Sequence, residues 1–134
     1  GEERFVRFAA AQIDDYINRM RPEVKPHANS CYAVEGMLAG VDALSRHGGY
    51  ARLERALRNR AQAEMEKNRR LQILPGQHRI QFGPQRYLQA PEITDHAGAF
   101  LNGLYRPQVR VDATQHCLSA MLKEADTASK ARPR

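Results

Sequence analysis

The sequence predicts an all-α fold: helical hairpins with a long ordered loop, in a single domain covering residues 1–134. Apolar residues recur at helical spacing in four separate stretches, and prolines and glycines fall between them. Two of those stretches also share one pattern. SCYAVEGML (30–38) and TQHCLSAML (114–122) each open on a hydroxyl residue and close on Met-Leu. Aligned, Ser30 falls on Thr114, Tyr32 on His116, Val34 on Leu118 and Gly36 on Ala120. Repeated hairpins would give such a match, and so would any two capped amphipathic helices.

The first helix is expected over residues 2 to about 20, where Phe5, Phe8, Ala9, Ile13, Tyr16, Ile17 and Met20 share helical spacing. Glu2 and Glu3 in its first turn and Arg19 and Arg21 at its end suit the helix dipole, and Pro22 stops it. RPEVKPHAN (21–29) reads as an ordered connector, after which Ser30 or Asn29 caps a second helix by accepting a first-turn N–H. Val34, Met37, Leu38, Val41 and Leu44 form the apolar stripe of this helix, and Gly48-Gly49 ends it. Gly36 and Gly40 each cost roughly 1 kcal/mol against alanine, which predicts close approach of another helix there.

A third helix is expected from about Tyr50 to Leu71, with Leu53, Leu57, Ala61 and Met65 as a narrow apolar stripe. Arginines and lysines cover most of the rest, relieved by Glu54, Glu64 and Glu66 three or four residues away, so it belongs on the outside. Residues 73–111 hold four of the chain's seven prolines, and only one short helix, near 93–104, is expected in them. Phe82, Tyr87, Leu88, Phe100 and Tyr105 argue that this long loop packs down. Asp112 or Thr114 then caps the last helix, with Cys117, Leu118, Met121, Leu122 and Ala125 inward and residues 126–134 as a fraying basic tail.

A chain of 134 residues that is 42% hydrophobic can bury one real core. No apolar run approaches the roughly 20 residues of a bilayer span, so no membrane span is expected. Cys31 and Cys117 fall in apolar helical stretches and read as buried free thiols, with pairing as the alternative. Free thiols and the lack of a signal pattern lean towards the cytoplasm, although a leader removed before Gly1 would leave the compartment open. With no C-x-x-C, Cys/His cluster, phosphate loop or dinucleotide fingerprint, no metal or cofactor is expected. The net charge of +6 suits either an anionic partner (acidic polysaccharide, nucleic acid or acidic lipid) or simply a soluble basic surface.

YAVEGMLAGVDAL (32–44), followed by a charged outer helix and then by GAF, RVD, TQH and LSAML, resembles the helical-hairpin repeats of (α/α) toroid proteins. These are the six-hairpin glycosidases, polysaccharide lyases and sugar epimerases, and the resemblance covers roughly residues 28–125. A full toroid takes about twelve helices and this chain offers about five, so the resemblance implies a terminal portion or a subunit whose pocket a partner chain completes. It further implies action on a carbohydrate, as a hydrolase, lyase or epimerase, with the pocket where the inner helices begin.

Those beginnings are HANS (27–30) and RVDATQH (110–116). Unpaired N–H groups and the positive dipole end concentrate at such starts. Asp112 and His116, four residues apart, form the expected acid/base pair, because imidazole titrates near neutral pH. Helix starts also collect aspartate simply as caps. His27, Asn29, Glu35, Arg106, Arg110 and Gln115 are the expected substrate-binding groups. Glu35 lies two turns from Asp42, which can pair with Arg46, so a solvated stripe is the competing reading for it. Arg79, Arg86, Arg106 and Arg110 flank Phe82, Tyr87 and Tyr105 in the long loop, a pairing that suits carboxylated sugars and single-stranded nucleic acid alike. The expected function is therefore processing or binding of an acidic glycan, as polysaccharide or oligosaccharide. The alternative is a non-enzymatic basic module that binds nucleic acid or a protein through the arginine-rich outer helix.

Overall fold

In the computed structural model, residues 2–17, 27–105 and 107–130 are described. The elements in chain order are α1 (Glu2–Asp15), α2 (Cys31–His47), α3 (Ala51–Arg69), β1 (Arg79–Gly83), β2 (Arg86–Gln89), a 3-10 helix (Pro91–His96) and α4 (Val111–Lys130). The protein is thus mostly helical, with one small antiparallel hairpin. No described helix is long and apolar enough to cross a membrane.

Helix α2 is the hub. Its stripe of Val34, Met37, Leu38, Val41 and Leu44 is buried along its whole length and meets Leu53, Leu57, Ala61 and Met65 of α3. The three residues between α2 and α3, including Gly48 and Gly49 at φ 64° and 72°, reverse the chain, so the start of α2 lies beside the end of α3. Helix α1 lays Ala10 and Ile13 against the same core and leaves Phe5 and Phe8 largely exposed. Tyr16 and Ile17 continue it, while Met20 and Pro22 lie outside the described residues. The close approach expected at Gly40 is present: a Cβ there would sit 3.0 Å from Leu57 Cδ2 and 3.3 Å from Ile13 Cδ1. At Gly36 it is not: a Cβ there would meet no packing neighbour among the described residues within 4 Å.

Helix α4 runs parallel to α2. Cys31 at the start of α2 is bonded to Cys117, and Glu35, one turn further on, reaches His116, Ser119 and Lys123. The free-thiol expectation is therefore corrected. Both sulfurs are buried beside Phe100, where helical phase brings the two chain segments together across 86 residues. The lean towards a cytoplasmic setting loses its basis, since disulfides persist in oxidising compartments.

The bond also fixes the rotation of α4. Cys117 and Ala120 face α2, so Leu118 and Leu122, expected inward, are 48% and 73% exposed, and Ala125 is exposed as well. The two matching segments are consequently not packed alike: Val34 is buried where its match Leu118 is not, and Ala120 is buried where Gly36 is open. Helix α4 starts before Asp112 and Thr114, which sit within its first turns rather than at a cap, and it continues to Lys130 through the stretch expected to fray.

Residues 73–111 build most of the second core. Leu71, Ile73, Ile80, Ile93 and Leu101 pack together below the end of α3. Their backbone is held by the β-hairpin, with Ile80 opposite Leu88, and by the isolated pairings Gln72–Phe100, Leu101–Val109 and Ala28–Gly103. The helix expected near 93–104 is instead the 3-10 turn at Pro91–His96, because Ala97-Gly98 turns the chain into the extended segment that follows.

Candidate functional site

The starts of α2 and α4 lie at one end of the molecule, but the space between them is filled. Phe100, Cys31 and Cys117 are fully buried there. Asn29 seals the seam: its side-chain nitrogen donates to Leu101 O at 3.0 Å and to Cys117 Sγ at 3.3 Å, and its oxygen accepts Cys31 N–H at 2.9 Å. Asn29 thus takes up the first N–H of α2 and ties that helix start to the 97–110 segment and to α4. Thr114 Oγ1 similarly accepts the Phe100 N–H at 3.1 Å.

The polar chemistry lies on the outer side of this seam. Glu35 Oε2 meets His116 Nδ1 at 2.8 Å, and Oε1 accepts from Ser119 Oγ at 2.7 Å and Lys123 Nζ at 3.0 Å. The hydrogen bonds from His116, Ser119 and Lys123 hold the Glu35 carboxyl at about 2, so it is ionised at any ordinary pH. An ionised carboxylate only accepts, so Nδ1 of His116 carries a hydrogen and Nε2 is the ring's remaining site of proton exchange. Tyr32, 74% exposed, stands edge-on to the His116 ring with centroids 5.9 Å apart.

The expected pairing of Asp112 with His116 is corrected. Asp112 is held by Arg110 through Nε at 2.9 Å and Nη2 at 2.7 Å, and that contact lowers its pKa. His116 turns instead to Glu35, whose reading as a solvated stripe with Asp42 fails; Asp42 pairs with Arg46 as expected. Gln115 is exposed on α4. His27 is apart from this group: its ring lies 4.5 Å from that of Tyr105, and its buried Nδ1 has no hydrogen-bond partner among the described residues. Arg106 lies outside the described residues.

Sequence reasoning missed Ser119 and Lys123, although with His116 they form an i, i+3, i+7 polar stripe that the correct phase of α4 would have flagged. It also missed a second polar cluster, under the start of α2. Ser30 does not cap the first turn of α2; its hydroxyl donates to Glu64 Oε2 at 2.6 Å and accepts from Lys67 Nζ at 2.6 Å. Lys67 also donates to Ala28 O at 2.7 Å and to Glu64 at 2.8 Å, while Asn68 accepts the Ser30 N–H at 3.0 Å. Glu64, Lys67 and Asn68 are all buried, against the expectation of a solvated outer helix. Burial raises the pKa of Glu64, but the hydrogen bonds of Lys67, Ser30 and Arg60 outweigh it and the net shift is downward. Lys67 beside that carboxylate is the ion-pair partner of Glu64, so it supplies no base to the Ser30 hydroxyl. The cluster is a structural joint between α2 and α3.

Among the described residues no group of three or more histidine, cysteine or acidic side chains is placed to hold a metal ion. The chain matches no known protein family, no curated protein and no solved structure.

Proposed function

We propose that the end of the molecule where α2 and α4 begin receives an acidic glycan, in a carbohydrate-processing or carbohydrate-binding module resembling part of an (α/α) toroid. His116 is the proton-exchanging group in this reading, oriented by Glu35 rather than by Asp112. One observation carries it: an imidazole fixed by an ionised carboxylate at 2.8 Å, beside an exposed tyrosine ring. A carboxylate on one ring nitrogen sets the tautomer and leaves the other nitrogen to take or give a proton. Tyr32 offers a sugar its apolar face.

Calorimetric titration with oligouronates tests the binding half, and ultraviolet detection of an unsaturated product or a reducing-end assay of a hydrolysed one tests the chemistry. Tyr32→Ala should weaken binding, whereas His116→Gln should abolish turnover with binding retained. No interaction with any acidic oligosaccharide would reject the proposal. The competing reading, phosphate binding through the outer arginines of α3, has less support. Arg52, Arg58, Arg60, Arg69 and Arg70 each lie against a carboxylate that a phosphate would have to displace.

A further inference from the structure

The β-hairpin carries a different kind of arginine. Strand alternation places Ile80 and Leu88 on one face, with Ile80 buried in the second core. Arg79, Gln81, Tyr87 and Gln89 occupy the other, and all are exposed. The Arg79 guanidinium lies over the Tyr87 ring, 4.0 Å from its centroid. Nearer the turn, Arg86 lies 5.3 Å from the centroid of Phe82. From Pro75 to Ala90 the sequence contains no aspartate or glutamate. Among the described residues, neither of these guanidinium groups has a carboxylate partner, unlike the paired arginines of α3.

We infer that the exposed face and tip of this hairpin form a second contact site for the same acidic glycan, with Arg79 and Arg86 binding its carboxylate or sulfate groups. The inference rests on the acidic-glycan reading for the choice of ligand. Charge complementarity selects an anion, and the acidic-glycan reading names its kind. A guanidinium that lies over an aromatic ring can still turn its N–H edge to an oxyanion in two parallel hydrogen bonds.

Backbone amide shifts separate the two sites, because the hairpin (79–89) and the cluster of Tyr32, Glu35 and His116 give distinct resonances. The probes are a long oligouronate, a sulfated oligosaccharide of equal length and an oligonucleotide of equal charge. Shifts at both sites with either glycan support the inference, and the stronger glycan identifies the oxyanion. Shifts only near Tyr32 overturn the hairpin site and leave the proposed function standing. Glycan shifts only at the hairpin support this site and reject the proposed function. An oligonucleotide that moves the hairpin more than either glycan, or silence with all three probes, overturns the inference. Paired Arg79→Gln and Arg86→Gln substitutions should weaken glycan binding by about tenfold or more. Arg79→Lys keeps the charge and loses the fork, so it should recover only part of that loss; full recovery would exclude two-point oxyanion recognition.

Discussion

Glu35 shows how far one residue's role depends on partners distant in the chain. Its carboxyl titrates near 2 in the folded protein against an ordinary value of 4.5. A depressed acid contributes stability that is complete above its unfolded pKa and disappears as pH falls through the folded one. Unfolding measured across acid pH should therefore show stability declining between about 4.5 and about 2. Glu35→Gln should flatten the curve in that window, and an unchanged slope would contradict the pairing. The residue was legible as a candidate, but its partners were not, because His116, Ser119 and Lys123 lie 81 to 88 residues away. The two helical glycines separate in the same way. Gly36→Ala meets open space and should stabilise α2 by roughly 0.5–1 kcal/mol. Gly40→Ala must displace Leu57 and Ile13, so it should gain nothing or lose stability. Thermal melts of the two variants distinguish a tolerated glycine from a required one.

At the scale of elements, apolar period was readable and polar burial was not. The stripes of α2 and α3 and the glycine break between them follow from spacing alone, and so do the pairs Glu54–Arg58 and Glu66–Arg70. Lys67 looked like one more surface cation, because Ser30 and the Ala28 carbonyl that enclose it arrive from another part of the chain. Lys67→Met should cost about 3 kcal/mol, since it strands Glu64 among buried groups. Adding Glu64→Gln should restore part of that loss, and a double-mutant cycle in urea measures the coupling. The hairpin escaped detection for a different reason. Strands of five and four residues with a single strongly buried side chain, Ile80, give too few alternations to stand out from an irregular loop. The phase of α4 was misread because Leu118 and Leu122 outweighed Ala120 as apolar signals, whereas the disulfide and the small alanine decide which side meets α2.

The whole molecule is two cores joined at the α2 start, and the bond between Cys31 and Cys117 sits at that junction. Phe100, which packs on the disulfide, belongs to the extended segment that the second core holds. The bond therefore ties α2, α4 and the 97–110 segment together, and the Glu35–His116 cluster is built on the same helix pair. Closing a loop of 86 residues should stabilise the fold by about 4–5 kcal/mol through loss of freedom in the unfolded chain. Paired Cys31→Ala and Cys117→Ala substitutions should lower the melting temperature by many degrees. A reductant should produce the same loss in the parent chain and almost none in the double variant. If the bond acts only on the unfolded chain, hydrogen exchange in the reduced protein should quicken evenly through both cores. A bond that holds the junction itself should release α4 and residues 97–110 first, leaving the α2–α3 hairpin protected by its own buried stripe and polar joint. The second pattern is expected, because among the described residues α4 gives the first core only Ala120 and Met121, and its other ties are the polar stripe on Glu35, the Thr114–Phe100 hydrogen bond, Asn29 and the ion pair of Arg69 with Glu124.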